Sequence, residues 1–85
     1  MQQKVKDWYV ANGFTLMDQQ TPAIGERFQA ARVVCDRGFG GVIERTRRIG
    51  VPAVRRAERD YYDELNGHQL VSSEIEAWMP LAPAQ

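Results

Sequence analysis

Apolar residues recur along this chain at spacings of three and four, in segments divided by glycine and proline. That period is the signature of amphipathic helices with one face turned to a core. Val5, Trp8 and Tyr9 predict a first helix from about Gln2 to Asn12, closed by Gly13 at the C′ position. From Gly13 to Gln20 the chain reads as a connection, in which Phe14 and Leu16 make a short extended piece. Thr21-Pro22 supplies an N-cap followed by proline at the first helical position. The second helix then carries Ile24, Phe28, Ala31 and Cys35 on one face and ends at Arg37-Gly38. After Gly40-Gly41 a short third helix turns Val42, Ile43, Thr46 and Ile49 inward and stops at Gly50. A fourth and longest helix runs from Pro52 to Asn66, with Val54, Ala57, Tyr61 and Leu65 as its apolar face and Gly67 at C′. Ser73 and Glu76 have capping-box spacing for a last helix that buries Ile75, Trp78 and Met79 before Pro80. The predicted fold is all-α: a compact bundle of about five short helices, forming one domain over 1–79 with a frayed tail over 80–85.

Composition agrees with an ordinary globular domain. The chain has 85 residues, 44% of them hydrophobic and 26% charged, which is neither disordered nor membrane-like. No apolar run reaches the ~20 residues of a membrane span. A single cysteine, Cys35, excludes an internal disulfide and a Cys-x-x-Cys metal knuckle. A reducing compartment, and so a cytoplasmic protein, is expected.

Charge changes the picture more. The formal net charge is zero, but Arg45, Arg47, Arg48, Arg55, Arg56 and Arg59 crowd the middle of the chain. Asp60, Asp63, Glu64, Glu74 and Glu76 follow, with no Lys or Arg after Arg59. Such asymmetry bears on partners. The stretch Gly41–Asn66 resembles a helix-turn-helix over about twenty residues: a short helix, an apolar-Gly-apolar turn at Ile49-Gly50-Val51, and a longer helix, with the small Thr46 four before the glycine. Arg45 stands where that motif has an aliphatic residue, and Arg56 and Arg59 stand where its second helix buries one. On a fourth helix, Arg55 and Arg56 would occupy the first turn, where the helix dipole disfavours cations. Either an anionic partner or a carboxylate such as Glu58 or Glu26 would account for them.

Catalytic chemistry is hard to assemble. His68 is the only histidine and falls in a predicted loop, while Cys35 falls on a predicted apolar face. Gly38-x-Gly40-Gly41 lacks the Lys-Ser/Thr of a P-loop. The expected protein is therefore non-enzymatic, without metal, cofactor or membrane, and binds duplex DNA. Arg55, Arg56 and Arg59 would point into the major groove and Arg45, Arg47 and Arg48 would flank on phosphates. A homodimer is expected, with Tyr62, Trp78 and Met79 as candidate contacts. The alternative is a protein-interaction module, an adaptor, inhibitor or subunit of the kind mobile elements carry, acting through its charged faces.

Overall fold

The computed structural model describes residues 1–81. It overturns the all-α expectation: the described residues form one α-helix and a six-stranded antiparallel sheet. Helix α1 spans Gln3–Ala11, where the sequence predicts it, and Gly13 follows with φ +84°. The strands are β1 (Thr15–Leu16), β2 (Arg27–Arg37), β3 (Ile43–Ala57), β4 (Asp60–Asp63), β5 (His68–Leu70) and β6 (Ile75–Pro80). Their order in the sheet is β1-β6-β2-β3-β4-β5.

The predicted second helix is instead β2, and the third and fourth are β3 and β4. The last is a short 3-10 turn, Ser72–Glu74, followed by β6. No helix-turn-helix pair exists: Gly50 lies within β3, not between two helices. Pro80 closes β6 by pairing with Phe28, the Leu81 N–H donates to the Arg27 carbonyl at 3.4 Å, and 82–85 of the predicted tail lies outside the described residues.

The physical reason is that a spacing of four fits both periods. Residues i and i+4 share a face in a helix and also in a strand, where every second side chain returns to the same side. Phe28 and Ala30, Val51 and Ala53 are neighbours at spacing two, and both pairs belong to one core. Val42, Ile43, Thr46, Ile49, Val51 and Val54 make this region rich in β-branched residues, which favour a pleated surface.

Glycine and proline keep their roles as punctuation but mark different features. Gly40 and Gly41, at φ +77° and +80°, turn the chain between β2 and β3, and the Gly38 N–H donates to the Val42 carbonyl at 2.6 Å. Gly50, at φ +86°, is the extra residue of a bulge: Ala30 faces Val51 and Ala31 faces Ile49. Pro52 is tolerated inside β3 because its carbonyl accepts from the Glu64 N–H, on the β4 side. Its missing N–H therefore falls beyond the end of the β4 ladder, which begins at Ala53.

Both faces of the sheet are covered. On one, Phe28, Ala30, Ala53, Tyr61, Leu70, Ile75 and Trp78 pack together, with Phe28 edge-on to Tyr61 and Trp78 at ring separations of 6.0 and 6.1 Å. On the other, α1 lays Tyr9 against Phe14, Leu16, Ala31 and Ala77. Phe28, Ala31, Tyr61, Ile75 and Trp78 are core residues as the sequence predicts. Ile24, Val42, Ile43, Ile49 and Leu65 are exposed, and so is Cys35, because their segments are strand or turn rather than the inner face of a helix.

Candidate nucleic-acid interface

The hairpin of β2 and β3 outruns the sheet. β6 pairs with β2 only as far as Arg32, and β4 pairs with β3 only from Ala53 onward. The remaining ladder, Val33–Arg37 against Ile43–Arg47, projects as a two-stranded arm of about 15–20 Å. Every residue from Gly41 to Gly50 is exposed, and Phe39 at the tip is wholly so.

Strand alternation sorts the charges on this arm. The Gly50 bulge puts Ile49, Arg47, Arg45 and Ile43 opposite Ala31, Val33, Cys35 and Arg37, on the face that carries α1. Arg37, Arg45 and Arg47 therefore share a face, and Lys4 from α1 stands beside Arg47 along a cleft of about 340 Å³. The cleft is otherwise lined by Val5, Trp8, Tyr9 and Ile49. Glu44, Thr46 and Arg48 occupy the opposite face, with Arg32, which is bonded to Glu74 at 3.0 Å.

One carboxylate anchors the cationic face. β6 also bulges, since Ala31 faces Ala77 and Arg32 faces Ile75, and Glu76 is its extra residue. Glu76 Oε1 accepts from the Tyr9 hydroxyl at 2.9 Å and from Arg47 Nε at 3.0 Å. Burial, and then the bond to Glu76, push the Tyr9 hydroxyl up to about 12. The same carboxylate raises the pKa of Arg47. This contact fixes the root of the arm against the helix. Arg37, Arg45 and Arg48 make no ion pair among the described residues.

The six arginines expected to act together fall into two groups. Arg45, Arg47 and Arg48 lie on the arm. Arg55 and Arg56 lie in the body, and Arg59 is exposed in the turn between β3 and β4. Arg55 donates to the Pro22 carbonyl at 2.7 Å, the Glu58 carbonyl at 2.9 Å and Thr21 Oγ1 at 3.3 Å, with its guanidinium 5.8 Å from the Tyr61 ring centre. Arg56 bonds Asp60 Oδ1 through two nitrogens, at 3.2 and 2.9 Å, and sits 4.3 Å above Tyr62. Neither stands in a helix, so the dipole argument that singled them out does not apply. Their partners are main-chain oxygens, the Thr21 hydroxyl and a carboxylate of the fold.

The expected dimer contacts are also engaged within the chain. Trp78 is buried, its Nε1 donating to the Gln20 carbonyl at 2.8 Å. Met79 packs on the core beneath α1, and Tyr62 lies under Arg56. Arg37, Lys4 and Phe39 escaped sequence reasoning. The only available signal was the Gly-Phe-Gly-Gly turn between two β-branched runs, which marks a hairpin tip.

Other chemistry stays dispersed. His68 is exposed on β5 with Nε2 4.0 Å from Asp63, while Cys35 is exposed on the arm. Among the described residues no group of three or more His, Cys, Asp or Glu side chains could hold a metal ion. No described helix is long and apolar enough to cross a membrane. No family model, characterised protein or solved structure matches the chain.

Proposed function

We propose that the protein binds duplex DNA through the α1-side face of the β2–β3 arm. The observation that carries this reading is the sorting of charge: Arg37, Arg45 and Arg47 share one exposed face with Lys4 beside them, and among the described residues only Arg47 of these is paired. A two-stranded antiparallel ribbon has the width to enter a major groove, which is about 12 Å across. Arginine forks bind phosphate oxygens and guanine edges in a bidentate way. Nine of the eleven acidic residues lie off the arm, Asp36 and Glu44 being the exceptions, so the molecule would approach a polyanion arm first. In this reading the exposed, unpaired Cys35 fits a cytoplasmic protein.

The test is a salt titration of binding to a fluorescent duplex. Affinity should fall steeply with salt, and Arg37→Gln with Arg45→Gln should flatten the slope by about 0.9 for each phosphate no longer neutralised. Arg56→Gln should leave the slope unchanged. Absence of binding at low salt, or an unaltered slope in the double variant, overturns the proposal. One observation favours a second reading, a protein-interaction module: the cleft beside α1 has Val5, Trp8 and Ile49 as walls, with Trp8 and Ile49 each 47% exposed. In that case acidic polypeptides, not duplexes, would quench Trp8 fluorescence.

A further inference from the structure

Seven residues of β3, from Ile43 to Ile49, present an outer edge that no strand among the described residues covers. An open edge of this length, about 20 Å, is a template for another strand, and native proteins cover or disrupt such edges. Here there is no proline within the segment. The other open edge of the arm, Val33–Arg37 on β2, is better shielded: Val33 and Val34 are half-buried, and Met1 and Gln2 lie beside Val33.

The sequence of the β3 edge reads Ile-Glu-Arg-Thr-Arg-Arg-Ile. Laid antiparallel against a second copy of itself, with Thr46 on the twofold axis, it is self-complementary. Thr46 faces Thr46, Ile43 faces Ile49, and Glu44 faces Arg48, each of the last two pairs occurring twice. The faces also agree. Glu44, Thr46 and Arg48 share the side away from α1, so the two Glu–Arg pairs would flank the Thr pair there, as cross-strand pairing favours. On the α1 side the isoleucines would cover each other, both being exposed in the single chain, Ile43 at 67% and Ile49 at 47%. Neither Glu44 nor Arg48 has an ion-pair partner among the described residues. Gly50 and Val51 separate this edge from the start of the β4 ladder and leave a gap beside which the second arm's turn can lie. The β2 edge has no such symmetry, since centring it on Cys35 sets Val33 against Arg37.

We infer that two copies of the chain associate through the Ile43–Ile49 edge of β3, making a continuous four-stranded arm with Thr46 at its centre. Arg45 opposes Arg47 across the junction, also twice, and these two like-charged pairs work against assembly, offset in part by Glu76 at each Arg47. The inference stands without the DNA reading. If both hold, the single chain rather than the dimer enters the groove, because four strands at ~4.8 Å spacing are wider than a groove of about 12 Å.

Sedimentation velocity on the full chain, over a range of concentrations, tests the association. The parent should dimerise. Glu44→Arg and Arg48→Glu should each weaken the dimer at least tenfold, and the double exchange should restore it to within a few-fold. Glu44 and Arg48 are four residues apart on one strand, ~13 Å, too far to compensate each other within a monomer. Register is read by cross-linking in a Cys35→Ser background. Thr46→Cys should oxidise to a disulfide-linked dimer, because directly opposed residues lie within disulfide reach. Arg48→Cys should not, because the two sulfurs would be several residues apart. Circular dichroism checks that each variant is folded. A monomer at every concentration, a failure of the double exchange to rescue, or equal cross-linking at positions 46 and 48 overturns the inference.

Discussion

Replacing Arg55 with Met should destabilise the fold and leave the arm untouched. The guanidinium ties the loop around Thr21 and Pro22 to the carbonyl of Glu58, while main-chain bonds join Gly25 and Glu26 to Arg55 itself. The part-buried bond to the Pro22 carbonyl, made by a charged donor, is worth about 1.5 kcal/mol. The two more exposed bonds and the Tyr61 ring add roughly 0.5 kcal/mol each. Arg55 Nε is buried without a partner, and Met removes that cost. Met keeps an apolar stem of similar reach, so little packing is lost. The net effect is about 2 kcal/mol, equivalent to a fall in melting temperature of roughly 8–16 °C for a domain of this size. Thermal denaturation followed by circular dichroism measures it. Arg56→Met, which removes an exposed pair with Asp60 and the stacking on Tyr62, should cost about 1 kcal/mol or less. The reasoning fails if Arg55→Met melts within ~4 °C of the parent, or if the folded variant loses more DNA affinity than Arg45→Gln does.

Three further outcomes follow from the same structure. Phe28→Ala should cost about 3–5 kcal/mol, because Phe28 is fully buried between Tyr61 and Trp78; urea denaturation checks it. Cys35 should react with a thiol reagent in the native protein nearly as fast as in denaturant, since it is exposed on the arm. For Asp63, burial would raise the carboxyl, but hydrogen bonds from the Asn66 side chain and from the Asn66 and Leu65 N–H groups hold it below its ordinary value. A folded-state pKa below the unfolded one gives stability that is present above the ordinary carboxylate value and lost as pH falls through the folded value. Acid denaturation curves should therefore flatten below about pH 4 in Asp63→Asn relative to the parent.

The helix was legible and the sheet was not, for a definite reason. Val5, Trp8 and Tyr9 include a spacing of three, which a strand cannot place on one face, and Gly13 supplies the left-handed stop. Phe28, with its neighbours at four residues, fits both geometries, and only the β-branched content and the Phe28–Ala30 step argue for a strand. Burial of Phe28, Tyr61 and Trp78 survived the wrong assignment because large aromatic residues seek a core in either class. The arm could not be seen because every β3 side chain along it faces solvent, on both sides of the ribbon, so no hydrophobic period marks it. The run of arginines was a correct sign of a charged surface, but its division at Gly50 depends on where β4 begins. Nothing local to Arg55 announces that its partners are Pro22 and Glu58.

Gly50 sets the reading frame of the arm. With its positive φ the residue stands outside the ladder, and Ile49 meets Ala31. If a side chain that resists that conformation took its place, the left-handed backbone would cost about 1–2 kcal/mol. The competing arrangement lets position 50 join the ladder opposite Ala31 and slides the rest of β3 by one step. Every residue from Ile49 to Ile43 would then change sides. Arg45 and Arg47 would leave the helix, Glu76 would lose its guanidinium, and Glu44 and Arg48 would take their places. The charge that β3 presents beside the helix, two arginines in one frame and an arginine cancelled by a glutamate in the other, is thus governed by a single dihedral angle, several residues away from the charges it displays.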